Sequence, residues 1–282
     1  MENLINALKA GHAVNKKGYF SSYRENIFTG QMSEDFQNMF DEGSGGELHS
    51  KAEAVHSSSM LSYNFFHWID DNHPFEWDGV KYIQVLFEVK MKTILDSPAP
   101  ANMDVVLIDK DRKSLLFIES KFTEYTETKK FELSKGYQDK DRWFNKNVTW
   151  DKIVSYVPER KYKYKEGVKQ LISHLFGIHS QFDELCDTLK NVGIDDFNTV
   201  NLKFITLVFE PSKDRFKEEH DAYVNYNKLF KDFRTKIQNA GLKVVPEWKS
   251  YGKIWEIMSK QIPEDLKNYL WERYMKFAEQ IS

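Results

Sequence analysis

The stretch DVVLIDKDRKSLLFIESK, residues 104–121, decides the fold of this chain. Two runs of β-branched, aliphatic and aromatic residues flank a short polar loop, which predicts an antiparallel hairpin with strands at 103–108 and 114–121. Side chains alternate between the two faces of a strand, so we expect Glu119 and Lys121 to point the same way, about 6–7 Å apart. If the hairpin register allows it, Asp104 joins them, and two carboxylates and one ammonium group meet at a sheet edge.

The composition limits the classes of protein that this chain can belong to. It has 282 residues and a single cysteine, which excludes an internal disulfide and a cysteine-rich zinc site. No apolar run reaches transmembrane length, and the first residues lack the basic and apolar pattern of a signal peptide. We therefore expect a cytoplasmic protein with no membrane partner. The net charge of −3 does not by itself indicate nucleic-acid binding.

A basic and aromatic segment follows the hairpin. From Lys129 to Lys169 there are twelve basic and six acidic residues, with aromatic residues between them. Lysines can neutralise phosphates while aromatic rings stack on unpaired bases. A packed loop with a solvated charged rim explains the same composition, and both interpretations stay open. The nucleic-acid-binding candidates are Lys161, Lys163, Lys165, Lys169, Trp143 and Tyr162.

The rest of the chain predicts an α/β fold in one domain, residues 1–282. Apolar periodicity indicates helices over 47–70, 166–176, 219–239 and 261–280, and strands over 80–95, 202–209 and 242–245. Gly177 is the predicted end of the second of these helices. We expect an insertion at about 122–163 and a helical C-terminal elaboration at about 215–282.

The order helix, three strands, helix, strand, together with Asp104 and Glu119-Ser120-Lys121, resembles the PD-(D/E)XK phosphodiesterase superfamily. The resemblance covers residues 45–210 approximately. It implies a restriction-endonuclease-like core (αβββαβ, a mixed central sheet flanked by helices) with N-terminal, mid-chain and C-terminal elaborations. Met103 stands where the literal motif has proline, a position at which that superfamily is loose.

The resemblance also implies roles for particular residues. Asp104, Glu119 and the backbone carbonyl of Ser120 would hold Mg²⁺ or Mn²⁺, and Lys121 would orient a water or stabilise an oxyanion. Gln170, on the second core helix, would hold the attacking water or a phosphate oxygen.

Two further positions gain meaning from the same resemblance. His174 occupies the place, one helical turn after Gln170, where many exonuclease-like members carry an aromatic residue. An additional acidic metal ligand is expected on the first core helix, where Glu47 is the preferred candidate. Glu53 and Glu88 stay open as alternatives.

The predicted function is a metal-dependent nuclease that acts on DNA more readily than on RNA, and pairing into a homodimer is a further expectation by analogy. One alternative is a catalytically inactive nuclease-fold module that binds nucleic acid or a partner. Another is an unrelated α/β protein in which the charged cluster is only structural. The sequence contains no phosphate-binding GxxxxGK[ST] motif and no GxSxG motif, which disfavours nucleotide hydrolysis and serine-nucleophile chemistry.

Overall fold

A computed structural model describes residues 3–43, 48, 51–97, 99–126, 133–156 and 166–280. The strands are β1 (Phe75–Trp77), β2 (Val80–Met91), β3 (Ala101–Asp109), β4 (Ser114–Lys121), β5 (Asn201–Val208) and β6 (Pro246–Ser250). The helices are α1 (Leu4–Lys9), α2 (Glu34–Glu42), α3 (Ser58–Phe66), α4 (Trp150–Val154), α5 (Glu166–Ser180), α6 (Asp187–Asn191), α7 (Lys217–Ile237), α8 (Tyr251–Met258) and α9 (Glu264–Arg273). In the described ranges, no helix combines the length and apolar character needed to cross a bilayer.

The six strands form one mixed sheet in the order β1-β2-β3-β4-β5-β6. Neighbours from β1 to β4 are antiparallel, whereas β4 with β5 and β5 with β6 are parallel. The predicted hairpin strands are confirmed as β3 and β4, and the strand predicted at 202–209 as β5. The strand predicted over 80–95 ends earlier, at Met91, and the one expected at 242–245 lies at 246–250. The C-terminal region therefore adds a strand to the central sheet and is not purely helical.

Helices cover both faces of this sheet because successive strand residues point to opposite sides. Leu116 and Ile118 of β4 pack in a core that also contains apolar residues of α3, α8 and α9. Leu115 and Phe117 pack in a second core with residues of α4, α5 and α7. The α/β class is confirmed, and the order α3-β2-β3-β4-α5-β5 follows the predicted succession. Its assignment to a restriction-endonuclease-like core stays a prediction.

Helix α3 is much shorter than the helix predicted over 47–70. It begins after Ser57, whose hydroxyl accepts a hydrogen bond from the backbone N–H of Met60 at 3.3 Å. Just before it, Ala54 forms an isolated β-bridge with Tyr19, and this tertiary pairing holds the chain out of a helix. Glu53 therefore precedes α3 and is not on it, which corrects the predicted position. Glu47 lies outside the described residues.

Helix α5 runs through Gly177 to Ser180, so the predicted helix end at Gly177 is wrong. A side chain at this position would place its Cβ atom 3.0 Å from Cβ of Met91 and 3.3 Å from Cβ of Ala101. The glycine therefore permits close approach of α5 to β2 and β3 instead of terminating the helix. This approach positions Gln170 and His174 beside the charged end of the hairpin.

Candidate active site

The hairpin register brings Asp104 and Glu119 to the same level. Val105 of β3 pairs with Ile118 of β4, so one further step places Asp104 opposite Glu119. The backbone N–H of Ser120 donates a hydrogen bond of 2.7 Å to Oδ2 of Asp104. This bond fixes the aspartate against the strand that carries the other two charged residues.

Side chains stop alternating regularly between the two faces of the sheet at Glu88 of β2, which lies level with Asp104. Phe87 and Val105 pack on one face of the sheet, whereas Val89 and Met103 pack on the other. Glu88, between Phe87 and Val89, has a φ of 52°, which lies in the left-handed region that non-glycine residues rarely adopt. Such irregularities redirect side chains and are common beside active sites. Here the irregularity places a third carboxyl group level with Asp104.

Glu119 lies between two nitrogen-bearing side chains. Its Oε1 accepts a short hydrogen bond from Nζ of Lys121, and its Oε2 lies 2.6 Å from Nε2 of His174. The orientation of the imidazole ring does not give the second contact regular hydrogen-bond geometry. The side chain of Glu119 is only 1% exposed, so both contacts occur away from bulk water. In this structure the carboxylate is held by the chain itself.

The charges at the site shift the pKa values of its groups in opposite directions. Burial raises the pKa of Glu119, but Lys121 and His174 outweigh burial and lower the pKa to about 2. Burial lowers the pKa of Lys121, but Glu119 above all, then Glu124 and Asp104, raise it above its usual value. Glu119 and Lys121 are therefore both charged at neutral pH.

Asp104 behaves differently from Glu119. Burial raises its pKa well above the usual range, the negative charges of Glu119 and Glu88 raise it further, and Lys121 only partly opposes this. Lys121 therefore offsets only part of the effect of burial and of the neighbouring carboxyl groups on Asp104. An additional cation would relieve the repulsion.

A cavity of about 560 Å³ opens onto this cluster. Glu88, Asp104 and Lys121 line it, whereas Glu119 lies behind its wall. Gln170 and His174 of α5 complete the charged side. The other side is formed mainly by residues at and before the start of α3, namely Lys51, Ala54, His56, Ser57, Ser58 and Ser59.

The structure brings some predicted site residues together and leaves others apart. Asp104, Lys121 and Gln170 share the cavity, and Glu119 contacts Lys121 directly. The side chain of Ser120 points to the opposite face of the sheet, where its hydroxyl hydrogen-bonds with Tyr251 at 2.7 Å. Only the backbone of Ser120 therefore belongs to the site.

The predicted nucleic-acid-binding residues are separated in the structure. Trp143 is 8% exposed, belongs to the second core, and donates its indole N–H to the carbonyl of Tyr137 at 3.0 Å. This packing leaves the ring little surface to offer to a base. Lys169 is exposed on α5. Lys161, Tyr162, Lys163 and Lys165 lie outside the described residues.

Sequence reasoning missed two features of the cavity. Glu124 lines the wall beside Lys121, and its carboxylate accepts hydrogen bonds from the backbone N–H groups of Phe122 (2.7 Å) and Thr123 (3.0 Å). The start of α3 faces the carboxylates across the cavity, because the helix begins after Ser57 and not at residue 47 as predicted. Ser57 is a favourable N-cap residue, and this signal could have located the true helix start.

The donor set suits a magnesium ion better than zinc. Over the described ranges, no group of three or more His, Cys, Asp or Glu side chains is arranged to hold a metal. Magnesium is commonly bound by only one or two carboxylates and keeps several waters, so a full cage of side chains is not required. The hard oxygens of Asp104 and Glu119 fit such an ion, and so do the neighbouring negative charges that raise the pKa of Asp104.

Comparison with known proteins adds one finding. A family described as "Restriction Endonuclease associating with ARP" matches residues 6–275. The match extends from within α1 past the end of α9 and includes every strand and helix that lines the cavity. No curated protein and no solved structure gives a significant match. Because the match covers nearly the whole sequence, the chain belongs to this restriction-endonuclease family.

Proposed function

We propose that this chain is a metal-dependent nuclease that hydrolyses phosphodiester bonds of DNA, or alternatively of RNA, by a PD-(D/E)XK-type mechanism. The observation that carries this proposal is the grouping of three charged residues at the end of an antiparallel hairpin. Asp104 and Lys121 line one cavity, and Glu119 contacts Lys121 directly behind its wall. Membership of a restriction-endonuclease family supports the same reaction class.

Asp104, Glu119 and the carbonyl of Ser120 are the groups that would hold Mg²⁺ or Mn²⁺. Glu88 is a better additional ligand than Glu53, because it lines the cavity level with Asp104. When bound, the cation supplies positive charge that offsets the charge developing on the phosphate, and it lowers the pKa of water. The raised pKa of Asp104 favours its protonated form. A cation that binds there would therefore displace a proton from this carboxyl group.

Lys121 and Gln170 would act directly on the reacting groups. The ammonium of Lys121 has three donors, of which Glu119 takes one, so the others can reach a phosphate oxygen or a water in the cavity. Its positive charge would stabilise the oxyanion that develops during attack at phosphorus. The Gln170 side-chain amide can accept from a water and donate to a phosphate oxygen, which suits an orienting role.

The proposed substrate is a nucleic acid, and DNA is the first choice. The exposed Lys169, one residue from Gln170, provides a positive charge near the cavity for a neighbouring phosphate. Action as a homodimer and a cytoplasmic location are further expectations from the sequence.

Cleavage assays test the proposal. The protein is incubated with supercoiled plasmid and with single-stranded DNA in Mg²⁺, in Mn²⁺ or in EDTA. We expect cleavage only with a divalent cation, and its loss in Glu119→Gln and Lys121→Met. Lys203→Met is the matched control, because Lys203 is also a strand lysine paired with a carboxylate (that of Asp78, 2.7 Å) but lies outside the cavity.

The outcomes separate the alternatives. Failure to cleave either substrate under all conditions contradicts the nuclease proposal. Salt-sensitive DNA retention without cleavage would then support the alternative, a catalytically inactive module that binds nucleic acid. Cleavage that persists in both site variants would show that the activity arises elsewhere or from a contaminant.

A further inference from the structure

Helix α5 carries two buried histidines, His174 and His179, whose side chains make different contacts. Nδ1 of His179 lies 2.9 Å from the carbonyl of Leu175 in its own helix, and its ring packs edge-on against Trp150. His174 is nearly as buried, at 3% exposure, but Nε2 of its ring lies 2.6 Å from Oε2 of Glu119. His179 is therefore a packing residue, whereas His174 contacts a carboxylate of the candidate site.

Several contacts fix the location of His174. Gly177, three residues further along α5, permits close contact of the helix with Met91 and Ala101 of the sheet. The imidazole also stands edge-on to Phe204 of β5, at 6.1 Å between ring centroids. No described residue hydrogen-bonds to Nδ1, whereas Nε2 lies against the carboxylate of Glu119.

The carboxylate of Glu119 needs more than one contact to hold its orientation. Lys121 lies two residues along the same strand and binds Oε1. With only this contact, the carboxylate could rotate about its last bond or follow the flexible lysine. His174 contacts the other oxygen from a different structural element. Contacts of this kind orient metal ligands, and their loss commonly weakens metal binding by about 10- to 100-fold.

We propose that His174 is a positioning residue that holds Oε2 of Glu119, so that the carboxylate is oriented to bind the divalent cation. The inference rests on the proposed function, because it assigns a role within the same site. The positioning role also explains why the residue one helical turn after Gln170 is a histidine and not a larger aromatic residue. A purely apolar ring would fill the space beside Phe204 but would not place a nitrogen atom against Oε2.

The test measures metal binding without nucleic acid. Mn²⁺ alone is titrated into the full chain and followed by electron paramagnetic resonance of the free ion or by calorimetry. The variants are His174→Gln, His174→Asn and His174→Phe. A glutamine amide can reach the position of Nε2, an asparagine amide is too short, and phenylalanine only fills space. His179→Asn is the matched control for the loss of a buried imidazole from the same helix.

We expect the asparagine and phenylalanine variants to bind Mn²⁺ about 10- to 100-fold more weakly, and the glutamine variant to stay within about threefold of the parent. The control variant should lose thermal stability without a comparable change in Mn²⁺ affinity. In cleavage assays, the cation concentration for half-maximal rate should shift in the same order. If His174→Phe does not fold, the asparagine and glutamine variants still provide the comparison.

Specific results overturn the inference. Unchanged or tighter Mn²⁺ binding in both the asparagine and phenylalanine variants would show that His174 does not support Glu119. The same conclusion would follow if His174→Gln bound Mn²⁺ as weakly as the asparagine and phenylalanine variants. It would also follow if His179→Asn lost as much Mn²⁺ affinity as they do. If the parent chain neither binds Mn²⁺ nor cleaves DNA, the proposed function itself fails. If the parent does both while the His174 variants are unaffected, only this inference fails.

Discussion

The buried pair of Lys121 and Glu119 gives a sharp prediction about stability. The two side chains are 5% and 1% exposed, and they contact each other directly. Removing one charge of such a pair leaves the other charge poorly solvated, which costs about 3–5 kcal/mol. Replacing both partners by neutral residues of similar size is commonly neutral or stabilising, because neither charge is then buried.

We therefore expect Lys121→Met and Glu119→Gln each to lower the free energy of unfolding by about 3 kcal/mol, the lower end of the range for broken buried pairs. The lower end applies because Glu119 keeps His174, and Lys121 keeps the nearby charges of Asp104 and Glu124. The double variant should return to within about 1 kcal/mol of the parent. For a chain of this size, each single change should lower the melting temperature by roughly 5 °C.

Urea unfolding at pH 7 in EDTA measures these values without interference from bound cations. The control is Lys203→Met, which removes a surface pair between a half-buried lysine and the exposed Asp78 and should cost less than about 1 kcal/mol. Single variants that cost no more than this control would refute the reasoning, since the cavity would then solvate the pair. A double variant as unstable as the sum of the two singles would refute it as well.

The remaining predictions concern the backbone, a buried histidine and the close contact of α5. Because Glu88 has a φ of 52°, Glu88→Gly should be about 1 kcal/mol more stable than Glu88→Ala, although both lose the carboxylate; equal melting temperatures would show that this conformation is not strained. Burial lowers the pKa of His179 from 6.5 to about 4, so its contribution to stability is complete above pH 6.5 and is lost as the pH falls toward 4. The parent should therefore lose about 3 kcal/mol over that range from this group, a loss that His179→Phe should lack in unfolding experiments repeated at each pH. Gly177→Ala should destabilise the chain by about 1–3 kcal/mol, despite the better helix propensity of alanine, since its Cβ atom would lie 3.0 Å from Cβ of Met91; a rise in melting temperature would contradict this contact.

The sequence alone predicted the part of the site that depends on local rules. The polar loop between two apolar runs specified the hairpin, and strand alternation placed Glu119 and Lys121 on the same face. Asp104 joined them because an antiparallel register follows from the position of the loop. The α/β class and the strand predicted over 202–209, which the structure has at 201–208, could also be predicted. Long apolar runs bounded by polar residues have few other interpretations.

Features that depend on contacts between distant segments were mispredicted or not seen. The apolar period continued upstream of Ser57, but the bridge between Ala54 and Tyr19 excludes a helix there. Gly177 has the sequence signature of a helix end, yet it serves a contact between helix and sheet. Trp143 belongs to a basic and aromatic segment, and only its tertiary neighbours show that it is buried.

The sequence by itself determined which charged residues share a strand pair, because hairpin geometry is set within a few residues of the turn. Only the tertiary structure decided that Glu88 lies level with Asp104 and that His174 contacts Glu119. A periodic apolar pattern indicates which residues are buried, but it does not indicate which distant residues pack against them. For that reason the partners of the hairpin carboxylates emerge only once the helices are packed on the sheet.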